Sequence, residues 1–181
     1  MTELRIFRDD KPAAPERVLT EGNAIADVLG KEGILFERWK ADVDLAAGDD
    51  QAKVLSAYAK QIDKLKRANG YVTADVVRMV PDAPNRADMR KKFLNEHQHS
   101  EDEVRFFVEG TGSFYLHLGK RVYQVICERD DLLSVPDGTR HWFDMGPQPR
   151  FTAIRLFTNP EGWVANFTGE TIAERFPTFG E

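Results

Sequence analysis

NEHQHSEDEVRFFVEG, residues 95–110, holds two histidines two positions apart and a glutamate four positions after the second. Side chains two apart on a strand point to one face, so His97 and His99 can reach the same point in space. Ser100, Glu101 and Asp102 suit a turn that returns Glu103 to that point from the next strand. Beyond it, alternation puts Glu103, Arg105 and Phe107 on one face and Val104, Phe106 and Val108 on the other. An apolar outer face needs a cover, which N-terminal helices or a second sheet must supply. Downstream, PDGTRHW at 136–142 sets His141 behind Pro136 and Gly138, in a tight turn that aims a third imidazole inward. The chain has four histidines, and three of them lie in these two segments.

Three neutral imidazoles and one carboxylate suit a first-row divalent ion of borderline hardness, such as Fe(II), Ni(II), Mn(II) or Zn(II). The absence of thiolates disfavours a structural zinc site. Four protein ligands, His97, His99, Glu103 and His141, leave two positions of an octahedral ion open to a chelating substrate. A lone His-x-His pair is more often a surface or core feature. It is the full spacing, His-x-His-x3-Glu-x6-Gly followed by Pro-x-Gly-x2-His, that carries the metal reading.

The surroundings of this segment read as strands. EVRFFVEG, SFYLHLG, RVYQVICE, DLLSVP, HWFDM and RFTAIRLF succeed one another, punctuated by Gly110, Gly112, Gly119 and Gly138, as in an antiparallel sandwich or barrel. The first half is more helical. Thr20 is placed to cap a short helix that Gly30 ends. ILFERW at 34–39 reads as a strand. From Asp50 to Asn69, Val54, Leu55, Tyr58, Ile62 and Leu65 fall on one face of a helix. Asp49 or Asp50 caps its start, Lys64, Lys66 and Arg67 suit its negative end, and Gly70 stops it. VVRMV at 76–80 reads as a strand and RADMRKKF at 86–93 as a further helix. The fold class is therefore mainly β with N-terminal helices in one domain over 1–181. Its expected parts are helical and extended elements to about residue 93, a metal-binding β core over about 94–158, and a loop-rich tail over 159–181.

Composition excludes several classes. A chain of 181 residues fits one domain, burying roughly 70% of its unfolded surface. A net charge of −5 argues against nucleic acid as partner. No run of about 18 apolar residues exists, so no membrane span is expected, and MTELRIFRDD lacks the apolar core of a secretory signal, which makes the cytoplasm the expected address. Cys127 is alone and reads as a small buried strand residue.

The two metal-type segments resemble the paired motifs of the cupin superfamily, and with their surroundings they resemble its acireductone dioxygenase family. The likeness runs from VVRMVPDAPNRADMRKKF through RLFTNPEGWVANFTG, with the His-Gln-His-Ser-Glu-Asp-Glu-Val-Arg run as its most specific part. Three positions depart from the general cupin pattern: Lys91 and Asp130 stand where each motif usually opens with glycine, and Met145 where an asparagine is frequent. These positions shape turns and bind no metal.

The resemblance implies a double-stranded β-helix, a jelly-roll-like barrel, holding one Fe(II) or Ni(II) ion per monomeric chain. It implies cleavage of an acireductone, 1,2-dihydroxy-3-keto-5-methylthiopentene, by O2 in methionine salvage. The iron form would yield formate and 2-keto-4-methylthiobutyrate, the nickel form formate, carbon monoxide and 3-methylthiopropionate. Arg105, on the face of Glu103, is expected to pair with a substrate oxygen or with the ligand carboxylate. By resemblance, Glu96 is a base or an acceptor near the site, although alternation points it away from His97. Arg155 either helps to bind substrate or is an ordinary surface arginine. Phe93, Phe143 and Trp163 are candidates for an apolar wall around the methylthio tail, although spacing alone reads them as core. His117 reads as a hydrogen-bonded strand histidine. Two other functions compete. One is a cupin reaction on another chelating substrate, such as sugar isomerisation. The other is a metal-sensing module, which would call for a basic helix-turn-helix that the N-terminal region lacks.

Overall fold

The computed structural model describes residues 1–161 and 163–180. Among the described residues, eleven strands form two antiparallel layers that share one long strand. In chain order they are β1 (Glu3–Arg8), β2 (Arg17–Leu19), β3 (Leu35–Arg38), β4 (Thr73–Met79), β5 (His97–Gln98), β6 (Glu103–Leu118), β7 (Arg121–Glu128), β8 (Asp131–Val135), β9 (Arg140–Asp144), β10 (Phe151–Phe157) and β11 (Asn166–Phe167). The first layer runs β11-β5-β9-β6-β7-β1-β2 and the second β3-β8-β6-β10-β4. Two antiparallel layers that share a strand make the jelly-roll-like barrel expected from the sequence. β1 to β4 come from residues 3–79 and β5 to β10 from residues 97–157.

EVRFFVEG and SFYLHLG, expected as separate strands, are one 16-residue strand, β6. Gly110 makes this possible. Its φ is +70°, and a Cβ there would lie 1.8 Å from the Arg150 carbonyl oxygen, so only glycine fits. Just before it, Val108 is an extra residue against β10, where the register steps from Thr152↔Glu109 to Ala153↔Phe107. The phase of burial changes across this bulge. Glu103, Arg105 and Phe107 face the barrel interior before it, and Phe114 and Leu116 after it.

Each outer face has its cover. Val104, Phe106 and Val108 pack under Val54 of α2 (Gln51–Ala57), Ile62 and Leu65 of α3 (Ala59–Asn69), and Tyr58 between the two helices. The single helix expected over this stretch breaks at Tyr58 (φ −110°), whose ring is drawn edge-on against Phe106 and whose hydroxyl donates to the Val43 carbonyl. Asp50 does cap α2, accepting from the Lys53 N–H, and Gly70 ends α3 in the left-handed region. The outer face of the first layer carries Tyr115, Val122 and Trp142 under Ile172 and Phe176. The tail is thus a cover, with a 3-10 turn at Ile172–Arg175.

Thr20 does not cap α1 (Gly22–Lys31): Glu21 holds that position without a side-chain bond. The helix also runs past Gly30. Its stop is Gly33 at φ +78°, with the Ile34 N–H reaching the Leu29 carbonyl and the Gly33 N–H the Gly30 carbonyl. α4 (Arg86–Phe93) spans the expected residues. Asp130 is the one non-glycine residue at positive φ among those described, which a short polar side chain tolerates where a cupin motif usually has glycine. Cys127 is fully buried and burial pushes its thiol up.

Candidate metal centre

β5 and β9 place His97 directly opposite His141. His99 follows β5 by one residue, and Glu103 opens β6 after the turn through 100–102. That turn is tied to the one before β9: the Gly138 N–H donates to the His99 carbonyl at 2.8 Å, and the Asp137 N–H to Asp102 Oδ1 at 2.9 Å. The donor nitrogens of His97, His99 and His141 lie within 4.8 Å of one another, all buried. Glu103 joins them through His99, its Oε2 lying 2.8 Å from His99 Nε2.

The hydrogen bonds settle which nitrogen faces inward. Nδ1 of His97, His99 and His141 contacts the carbonyl of Asn95 (2.8 Å), Val164 (2.6 Å) and Thr139 (2.8 Å) respectively. A carbonyl only accepts, so each Nδ1 carries the proton and each Nε2 presents a lone pair. All three Nε2 atoms and Glu103 Oε2 are buried with no hydrogen-bond donor among the described residues. Four buried lone pairs facing one point repel each other unless a cation lies between them. This donor set fits a divalent first-row ion, with the Nδ1 bonds fixing ring orientation.

Electrostatics agree. Burial lowers His97 to about 4 and His141 to about 3, so both are neutral and ready to ligate near pH 7. Burial alone would raise Glu103, but the Arg105 charge and the His99 contact outweigh it and hold the carboxylate well below its usual range. Arg105 is 1% exposed. Its Nε donates to Glu103 Oε1 at 2.5 Å, and its plane lies against Phe114 and Phe143. Its two terminal nitrogens are buried with no hydrogen-bond partner among the described residues. A buried cation with two spare donors beside the lone-pair cluster can donate two charge-assisted hydrogen bonds to an anionic oxygen.

Arg155 lies directly across from Arg105 in the β10–β6 pairing. It is no ordinary surface arginine: it is 8% exposed and grips Asp75 with two bonds of 2.8 and 2.6 Å. Its guanidinium also approaches the Trp163 and Phe157 rings. Phe93, Phe143 and Trp163 form one aromatic group, with Phe93 centred 6.1 Å from Phe143 and 5.9 Å from Trp163. Trp163 in turn stands 5.8 Å from the rings of both His97 and His99. Glu96 does not join the cluster. Its carboxylate lies behind the sheet, where Oε2 accepts from His117 Nδ1 and Oε1 from the Thr168 hydroxyl, both at 2.9 Å. Burial alone would raise Glu96, but those two bonds outweigh it and leave the carboxyl below its ordinary value.

Several contributors escape sequence reasoning. The carbonyls of Asn95, Thr139 and Val164 are backbone groups and leave no side-chain signal. Asp75 becomes Arg155's partner only through the β4–β10 register. Phe167, whose ring stands 5.8 Å from His97, was visible as an aromatic but not as a neighbour. A separate cavity of about 560 Å³ between α4 and the tail, lined by Arg86, Leu94, Gly146 and Ala173 among others, does not touch this centre. The buried donor geometry is the stronger guide to where chemistry occurs.

The ARD/ARD' family model matches residues 3–165. An acireductone dioxygenase of Pseudomonas paraeruginosa is 55% identical over 177 residues, covering 98% of each chain. One from Synechococcus sp. is 56% identical over 178 residues, also covering 98% of each. Among solved structures, the acireductone dioxygenase from Bacillus anthracis with a cadmium ion in its active centre superposes with a TM-score of 0.78 at 28% identity, over 92% of this chain and 98% of that one. The likeness spans the buried lone-pair centre and both sheets that build it, and the chain belongs to the ARD/ARD' family.

Proposed function

We propose that this chain is an acireductone dioxygenase, with His97, His99, Glu103 and His141 holding one Fe(II) or Ni(II) ion. The observation that carries this reading is the buried cluster of four unmatched lone pairs with Arg105's two unused donors beside it. His97, His99, Glu103 and His141 would hold the ion, which would supply Lewis-acid binding and polarisation of an enediolate substrate toward O2.

The protein's own residues do the rest. One carboxylate against a divalent charge leaves a net positive site that attracts the substrate anion. The Arg105 terminal nitrogens bind an enediolate oxygen, and Glu103 holds that guanidinium in place through Nε. Arg155, fixed by Asp75, adds a second positive charge on the same wall. Phe93, Phe143 and Trp163 enclose the methylthio tail and exclude water. Glu96, held by His117 and Thr168, serves as an acceptor behind the ligand strand and not as a base at the metal.

The substrate would be 1,2-dihydroxy-3-keto-5-methylthiopentene, an intermediate of methionine salvage. The expected products are formate with 2-keto-4-methylthiobutyrate for iron, and formate, carbon monoxide and 3-methylthiopropionate for nickel. The relatives above bear dioxygenase names, and the sugar-isomerase alternative finds no support among them. No helix is long and apolar enough to cross a membrane. We place the protein in the cytoplasm as a monomer, to be checked by fractionation and by size-exclusion chromatography with light scattering. The test of function is anaerobic addition of acireductone to protein reconstituted separately with Fe(II) and with Ni(II), followed by oxygen. Substrate loss with formate release supports the reading. Failure of both forms to consume substrate removes it.

A further inference from the structure

The chain between residues 163 and 168 crosses the metal centre as a strap, and it is held at two points. At the near point, the Val164 carbonyl accepts the Nδ1 proton of the ligand His99 at 2.6 Å, while the Trp163 ring lies beside His97 and His99. At the far point, Thr168 donates its N–H to the Glu96 carbonyl at 3.1 Å and its hydroxyl to Glu96 Oε1 at 2.9 Å. Between them, β11 pairs with β5 over only Asn166↔Gln98 and Phe167↔His97. Both β11 residues are exposed, Phe167 at 50%. A pairing this short contributes little rigidity by itself.

The far point is built more strongly. The Glu96 carboxylate is 1% exposed, and the bonds described for it come from Thr168 and from His117 on β6. Burying a carboxylate is costly unless hydrogen bonds compensate, so the three groups hold one another in place. His117 is itself rooted in the longest strand of the barrel, where it pairs with Val122 and Arg140. A rigid sheet thus reaches through His117, Glu96 and Thr168 to a strap that orients His99.

We propose that Glu96, His117 and Thr168 are positioning residues: they latch the 163–168 strap over the centre and, through the Val164 carbonyl, fix the imidazole of His99. The inference deepens the dioxygenase reading and rests on it only for its kinetic part. Loosening the latch lets Val164 and Trp163 drift, which weakens the metal's hold on His99 and opens the aromatic wall.

The test compares Thr168→Val, which keeps the shape and removes the hydroxyl, with Thr168→Ser, which restores it. Thr168 is only half-buried, so both variants should fold, and circular dichroism with thermal melting checks this. Hydrogen exchange should be about tenfold faster in the strap amides of the valine variant alone. Co(II) titration, read by visible absorption, should show affinity about tenfold weaker in that variant, with the serine variant near wild type. With acireductone, KM should rise about tenfold while kcat changes by less than about threefold. Wild-type exchange and Co(II) affinity in Thr168→Val would overturn the latch. So would equal loss in the valine and serine variants. If wild-type protein fails to turn over acireductone, the dioxygenase reading falls, while exchange and Co(II) binding still decide the latch.

Discussion

Replacing Arg105 by methionine should destabilise the metal-free protein far more than the metal-loaded one. Arg105 and Glu103 are both buried at or below 1% exposure, and they neutralise each other through Nε and Oε1. Removing one partner of such a pair strands the other and costs about 3–5 kcal/mol. For a chain of this size that is a melting temperature lower by roughly 6–20 °C, at about 2–4 °C per kcal/mol. When an ion is bound, Glu103 keeps a cation against its Oε2, so most of that penalty should vanish. Methionine fills the slot between Phe114 and Phe143, which limits cavity effects. Turnover should not recover with the metal. The variant lacks the two free donors, and losing a charge-assisted bond of about 1.5–3 kcal/mol lowers kcat/KM roughly 10- to 150-fold. Melting by calorimetry with and without Ni(II), elemental analysis and steady-state kinetics measure the three effects. Equal destabilisation of the two forms would refute the shared-carboxylate argument, and an unchanged kcat/KM would refute the substrate role of Arg105.

Other perturbations have expected outcomes. His99→Ala should lower metal content after dialysis because it removes one donor and frees the Val164 carbonyl; full occupancy by elemental analysis would contradict its assignment as a ligand. The metal-free protein should lose stability on acidification. His97 at about 4 and His141 at about 3 sit below the unfolded value near 6.5, so the unfolded chain takes up protons first and stability falls as pH drops from about 6.5 toward 4. For His97 alone this is on the order of 3 kcal/mol, and denaturant melts that are flat with pH across that window would rule it out. Gly110→Ala should cost at least about 3 kcal/mol through strain and collision with the Arg150 carbonyl, seen as poor soluble yield or a melting point lower by roughly 6–12 °C; a wild-type melt would show that β6 does not need this bulge.

Much of the centre is legible in the sequence because strand alternation is local. His97 and His99 share a face by spacing alone, and the turn at 100–102 returns Glu103 to them. The covering of Val104, Phe106 and Val108 follows from the same alternation. What escapes depends on the third dimension. The continuity of β6 hides behind Gly110 and Gly112, which look like breaks until a bulge and a positive φ turn them into a passage between sheets. The break at Tyr58 has no glycine or proline to announce it and follows from where the ring packs. β1 is a short strand whose partner β7 lies far along the chain, and β2 is a three-residue strand that pairs with β1. Glu96 shows both sides of the matter: alternation points it away from the metal, but only the fold supplies His117 and Thr168 to receive it.

The most direct measurement is X-ray absorption spectroscopy of protein loaded with a single equivalent of Ni(II), with stoichiometry fixed by elemental analysis. Three imidazole nitrogens and one carboxylate oxygen should surround one ion per chain, with the remaining oxygen ligands exchangeable for a chelating enediolate. Fewer than three imidazoles on the ion, or protein that retains no ion after buffer exchange, would contradict the convergence of His97, His99, Glu103 and His141 on one metal.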